Sequence, residues 1–323
     1  MPEMTYREAI RETLREALLA DDRVLLMGED IGAYGGAYGV TKGLMDEFGE
    51  ERVKDSPIAE SVLVGAGVGA AMAGLQPIVE IMTINFSLLA SDQIVNNAAK
   101  LLFMSGGQVS VPLVIRTVSG GGNQLGASHS QSLEGWYAQV PGLKVATPST
   151  PYDARGLLKS AVADQNPVVF VEHSLLYGLK GPVPDQPYTV PLGEADVKRT
   201  GSDVTIIAYL RMVHVALQAA EELAREGIDA EVVDLRSLRP LDTDTVNESV
   251  MKTSRAVVVE EGWKTGGFGA EVVSSIMEHS FDYLDAPVAR VAGKEVPMPY
   301  NRDLEQAAIP RAGDVVEAVK SLL

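Results

Sequence analysis

The sequence predicts two doubly wound α/β domains in series, and three observations carry that reading. Short apolar runs alternate with helix-like segments along most of the chain. This is the pattern of crossover units around a mostly parallel sheet covered on both faces. Glycine is abundant, with 31 residues, and aromatics make up only 6%, which suits closely packed layers. The 323 residues exceed what one ordinary core uses, and Pro182, Pro184, Pro187 and Pro191 punctuate a stretch without periodicity, the signature of a boundary.

Element by element, Thr5-Tyr-Arg-Glu8 reads as a capping box opening a helix to about Ala20. Arg23 to Gly28 is a short buried strand. Further strands are expected at Ile78 to Met82, Pro112 to Thr117, Lys144 to Thr147 and Val168 to Glu172. Helices are expected near 41–48, 61–74, 87–104, 130–138 and 151–164. A second alternating unit follows, with strands at 203–209, 230–235, 255–260 and 287–292. Its helices are expected at 212–226, 243–252 and 269–280, with a last one from about 313. The domains are therefore placed at 1–185 and 186–323.

A net charge of -17 argues against a nucleic-acid partner and is compatible with a basic protein partner. The absence of cysteine excludes disulfides, thiolate nucleophiles and cysteine metal sites. Met1-Pro-Glu-Met-Thr5 is not a basic region followed by an apolar run, and no apolar stretch is long enough for a bilayer. The expectation is a cytoplasmic protein without targeting peptide or membrane partner.

The most informative stretch is Asp55-Ser-Pro-Ile-Ala-Glu60, running into a helix lined by Gly65, Ala66, Gly67, Gly69, Ala70, Ala71, Ala73 and Gly74. So many small residues weaken a helix and are tolerable where a backbone or flat ligand comes close. Glu60 alone reads as an ordinary helix N-terminal carboxylate. Aimed into an apolar interface, it is a partner for a ring nitrogen. Gly65-Ala-Gly67-Val-Gly69 is not a dinucleotide fingerprint, because its glycines lie inside the helical pattern after a polar loop. Gly266-Gly-Phe-Gly269 is a candidate anion site or simply a helix start.

With Glu80-Ile-Met-Thr-Ile-Asn-Phe-Ser87 and Ser128-His-Ser-Gln131, the chain closely resembles the β subunits of thiamine-diphosphate-dependent 2-oxo acid dehydrogenases, most of all the pyruvate type with α2β2 assembly. The resemblance runs from about Thr5 to the C-terminus. It implies a thiamine-diphosphate pyrimidine-binding domain followed by a transketolase-type C-terminal domain. It implies that Glu60 bonds N1′ of the aminopyrimidine, favouring the imino tautomer whose 4′ nitrogen removes the thiazolium C2 proton. Met82 and Phe86 contact that ring, Ile58 lines the pocket, and Glu29 lies near Glu60 at a subunit interface. His129 stands at the mouth of the site, facing a lipoyl-bearing substrate.

No Gly-Asp-Gly motif for Mg²⁺ and diphosphate occurs, and Asn96-Asn97 lacks the upstream half. The resemblance assigns Mg²⁺ and the diphosphate to an α subunit, so the cofactor is shared between chains. It also implies K⁺ held by main-chain carbonyls at Leu113, Ala161, Val162, Asp164 and Asn166. The C-terminal domain is expected to dock a small basic domain of the lipoyl acyltransferase through Asp282, Asp285, Glu295, Asp303, Glu305, Asp314 and Glu317, near the Leu323 terminus. The implied reaction is oxidative decarboxylation of pyruvate with acetyl transfer to the lipoyl group. Phe86 favours pyruvate; acetoin or branched-chain 2-oxo acids are the runner-up. A non-catalytic scaffold subunit is a rival from another class, weakened by the presence of Glu60, Phe86 and His129 together. A simple NAD-binding dehydrogenase is weaker still.

Overall fold

The computed structural model describes residues 2–323. Contacts divide the chain into two compact units, one running to Ser119 and resuming at Trp136–Leu192, the other formed by Gly120–Gly135 with Gly193–Leu323.

In the first unit the strands lie in the order Lys144–Ala146, Val168–His173, Val114–Ser119, Gln76–Ile81, Val24–Gly28 and Val53–Asp55, all parallel. Every residue of Val114–Ser119 and Val168–His173 is buried, as a central parallel strand covered on both faces requires. The helix Tyr6–Ala20 starts with the capping box read from the sequence. Glu8 N–H donates to Thr5 Oγ1 at 3.2 Å, and Thr5 N–H donates to Glu8 Oε2 at 2.7 Å. Its buried stripe of Tyr6, Ile10, Leu14 and Leu18 joins Ala154, Leu157, Leu158 and Ala161 of the helix Pro151–Ala163 in one core.

The second unit has strands in the order Ala289–Gly293, Ala256–Trp263, Val204–Ala208, Ala230–Asp234 and Asp196–Arg199. Only the last edge pairs antiparallel. The helix Met212–Arg225 packs Val213, Ala216, Ala220 and Leu223 into a core with Val315 and Val319 of the helix Ala312–Lys320.

Two expected helices differ. The 87–104 segment is broken into a 3₁₀ turn at Ile84–Ala90, a π-helix at Gln93–Ala98 and one α turn at Leu101–Met104. Polar side chains bonded within it compete with a continuous α ladder: Ser87 Oγ donates to Ile84 O at 2.5 Å, and Asn96 Nδ2 to Asp92 Oδ1 at 2.7 Å. The 130–138 helix starts only at Glu134. The strand Val53–Asp55 ends close before the glycine-lined helix, where the sequence suggested only a polar loop. Among the described residues no helix is long and apolar enough to cross a membrane.

Candidate active site

Glu60 opens the helix Glu60–Met72 and is 4% exposed. Ala59 before it offers no side-chain cap, and the Ala59 N–H donates to the Glu29 carboxylate instead. Glu29 follows the strand Val24–Gly28 and is itself 6% exposed, not the exposed loop acid its position suggests. Burial pushes its carboxyl above the ordinary 4.5, and the charges of Glu60 and Asp30 push it further against the lowering effect of the Ala59 bond. Its Oε1 is buried without a hydrogen-bond partner. An orphaned buried acceptor costs about 1–3 kcal/mol, which marks a place made for a proton or a ligand.

Met82 leaves the strand Gln76–Ile81, and Phe86 lies on the 3₁₀ turn that follows; both are half-buried. Phe86 N–H donates to Thr83 O at 3.1 Å. The turn is pinned by Ser87, whose hydroxyl lies 2.5 Å from the Tyr137 hydroxyl. Burial raises the Tyr137 phenol against the lowering effect of the Ser87 bond. The helix that begins at Glu60 packs on this turn. Ile58, in the loop just before Glu60, is 81% exposed.

The small residues of the helix serve two faces. A Cβ on Gly67 would stand 2.7 Å from Val79 Cγ2, so this glycine lets the helix lie close on the sheet. On the other side Val62, Ala66, Gly69, Met72 and Ala73 are exposed, and nothing lies within 4 Å of a Cβ on Gly69.

Sequence reasoning missed a buried charge cluster on the neighbouring strands. Arg116 donates to Glu172 through Nε at 2.7 Å and Nη2 at 3.0 Å, and to Glu80 through Nη1 at 2.7 Å. Tyr177 Oη donates to Glu172 at 2.7 Å. Burial raises Glu172 despite the Arg116 charge. A charged residue inside each of three strand-like runs was its only signal.

His129 belongs to the loop assigned to the second unit and is exposed, with its Nδ1 3.0 Å from Ser128 Oγ. His173 is buried, and its Nδ1 accepts the Leu175 N–H at 3.2 Å. The Gly266-Gly-Phe-Gly269 turn is not an open anion site. Glu260, 1% exposed, accepts the Gly269 N–H at 2.9 Å and is paired with Arg290 at 2.6 Å. The chain's own carboxylate fills that helix terminus.

At the carbonyls considered for K⁺, Leu113 O accepts Val168 N–H and Ala161 O accepts Asp164 N–H. Lys144 pairs with the Asp164 side chain. Burial works to raise that carboxyl, but the Lys144 and Asn166 bonds outweigh it and hold it low. Among the described residues no cluster of His, Cys, Asp and Glu suits a metal ion.

An orphaned acid oxygen, a second buried acid and two half-buried apolar side chains fit the nitrogen-bearing end of a flat heterocycle. They offer nothing for a diphosphate. Residues 2–180 match the transketolase pyrimidine-binding domain, and residues 193–315 match the transketolase C-terminal domain. The pyruvate dehydrogenase E1 component subunit beta-1, mitochondrial, of Oryza sativa is 53% identical over 98% of this chain and 86% of its own. The pyruvate dehydrogenase E1 component subunit beta of Rhizobium meliloti is 50% identical over 100% of this chain and 70% of its own. The chain belongs to the pyruvate dehydrogenase E1 β-subunit family. It has the transketolase architecture: a split gene transketolase, solved as an inactive beta4 tetramer, aligns with a TM-score of 0.82 at 26% identity, covering 99% of this chain and 98% of that one. In this E1 β subunit Glu29, Glu60, Met82 and Phe86 all fall within the pyrimidine-binding match.

Proposed function

We propose that the chain forms the pyrimidine half of a thiamine-diphosphate site that oxidatively decarboxylates pyruvate and passes the acetyl group to a lipoyl arm. The observation that carries this reading is the Glu29–Glu60 pair at one helix start, with an acceptor oxygen left orphaned. Thiamine diphosphate, when bound, supplies the electron sink that stabilises the carbanion left by loss of carbon dioxide. Glu60 holds a proton at a pyrimidine ring nitrogen, in a buried setting that strengthens the bond. Glu29, raised by burial and by the Glu60 charge, is the second acid able to take up a proton there. Met82 and Phe86 wall the ring and exclude water, and exposed Ile58 joins that wall in the assembled enzyme.

An α subunit supplies Mg²⁺ and the diphosphate ligands, in an α2β2 assembly. K⁺ at the Leu113, Ala161, Val162, Asp164 and Asn166 carbonyls, if bound, serves the fold of the loop after the helix Pro151–Ala163 and takes no part in chemistry. His129 serves acetyl transfer to the lipoyl arm.

The test is reconstitution. With its α subunit, Mg²⁺, cofactor and a lipoyl domain, the chain should acetylate the lipoyl group from pyruvate faster than it acylates from branched-chain 2-oxo acids or acetoin. Alone it should bind the cofactor weakly and decarboxylate nothing. Micromolar or tighter cofactor binding by the isolated chain would overturn the shared site.

A further inference from the structure

The loop that carries His129 has an unusual backbone. Gly120, Gly122, Gln124 and Gly126 all have positive φ, at +87°, +103°, +57° and +80°. Such alternation turns backbone N–H groups toward one side and makes a cradle for an anion. Here the cradle is filled from within the chain. Glu305, on the helix Arg302–Ala308 and 1% exposed, accepts the Gly122 N–H at 3.0 Å and the Gln124 N–H at 3.0 Å. Buried Glu261 accepts the Gly121 N–H at 2.7 Å.

The same C-terminal segment packs under the glycines. A Cβ on Gly126 would stand 2.6 Å from Tyr300 Cδ2, and one on Gly121 would stand 3.1 Å from Ile309 Cδ1 and Met298 Cε. The loop closes on itself through Gly120 N–H to Gln131 O at 3.2 Å, and His129 N–H to Gly126 O at 3.2 Å. A buried carboxylate is costly unless it is hydrogen-bonded, and charge-assisted bonds to backbone N–H groups are the strong kind. Glu305 therefore does what an apolar seat does not: it selects one path for the loop backbone.

We infer that Glu305 is a positioning residue for acyl transfer, holding the Gly122 and Gln124 amides so that the loop presents His129 to the lipoyl substrate. This rests on the assignment of His129 to acetyl transfer. The test uses the reconstituted enzyme with Glu305→Gln and Glu305→Ala, and with His129→Ala alongside. Three quantities are read: amide hydrogen exchange over residues 120–131, acetylation of a lipoyl domain, and decarboxylation with an artificial electron acceptor.

Glu305→Ala should speed exchange in the loop and lower kcat/KM for the lipoyl domain on the order of tenfold or more, the scale of a misplaced reacting group. Decarboxylation should fall much less. Glu305→Gln keeps an acceptor oxygen and should lie between the two, and it decides the matter if the alanine variant does not fold. Unaltered loop exchange in a folded variant, or an unaltered ratio of transfer to decarboxylation, overturns the proposal. If His129→Ala is selective for transfer and the Glu305 variants are not, the proposal fails alone. If His129→Ala is itself unselective, the assignment of His129 fails and takes the proposal with it.

Discussion

Burial raises the proton affinity of Glu29, and Glu60 beside it adds to the rise. The two acids are buried at the same helix start, and the Glu60 charge reinforces burial in raising the Glu29 carboxyl. Two carboxylates so placed are an unstable arrangement in an empty apolar site. They become a favourable one when a proton and a basic ring nitrogen are shared between them. The same pair thus accounts for a local cost in the fold and for the proposed chemistry.

Replacing Glu60 by Gln keeps the volume and removes the acid. Reconstituted with the α subunit, Glu60→Gln should remain folded and assembled while decarboxylation drops by at least ~10²-fold, the usual loss on removing a positioned proton-transfer group. Exchange of the thiazolium C2 proton, followed by quenched-flow NMR, should slow in step. Exchange at the parental rate would remove Glu60 from cofactor activation.

Glu29 makes a prediction about stability and pH. Its carboxyl is raised above the ordinary 4.5, so the folded chain binds its proton more tightly than the unfolded chain does. The favourable contribution of the neutral form is complete below 4.5 and is lost as pH climbs through the raised value. Glu29→Gln carries no such loss. Urea unfolding of the isolated chain should find the variant more stable than its parent at neutral pH, with the gap closing as pH falls toward 4.5. A gap that widens on acidification contradicts the raised carboxyl.

Gly67 and Gly69 sit two positions apart on one helix and should respond oppositely to alanine. At Gly67 the added methyl meets Val79 Cγ2 at 2.7 Å and Leu113 Cδ1 at 3.3 Å, and overpacking of this kind costs about 1–3 kcal/mol. At Gly69 it meets nothing within 4 Å, so the isolated chain should gain up to ~1 kcal/mol from helix propensity. Urea unfolding reads both signs. If Gly69→Ala stabilises the free chain yet weakens binding of the α subunit, the exposed face of the helix is where another backbone lies.

What was legible in the sequence was local. Thr5 and Glu8 announced their helix because a capping box is complete within one turn. The helix start at Glu60 was legible because the small-residue run follows a short polar loop. The burial of Glu29 was not, since it arises among residues distant in sequence, among them Ala59, whose N–H meets the carboxylate. The Glu305–Gly122 bond spans 183 residues, and no periodicity records such a contact. The 87–104 segment failed for a different reason: its apolar spacing is helical, but Ser87, Asp92, Asn96 and Gln93 bond within it and break the ladder into three pieces.

The acids of the C-terminal domain divide once their partners are known. Glu305 is buried on the His129 loop and cannot steer a partner. Asp285 pairs with Arg255 at 3.4 Å, Asp314 with Arg311 at 3.8 Å, and Glu295 accepts the Thr265 N–H at 2.8 Å. Asp282, Asp303 and Glu317 are exposed, and single exposed charges are individually worth little. Exposed acids acting together raise the encounter rate of a basic partner, an effect that salt screens. Binding of the reconstituted enzyme to the acyltransferase's basic docking domain should therefore show an on-rate that falls steeply with ionic strength. Joint replacement of Asp282, Asp303 and Glu317 by Asn, Asn and Gln should lower the on-rate at low salt and flatten its salt dependence, while Glu305→Gln should leave both as they were. Surface plasmon resonance across a salt series checks this. An on-rate flat with salt in the unaltered enzyme, or a triple variant indistinguishable from it, would move the docking surface away from this end of the chain.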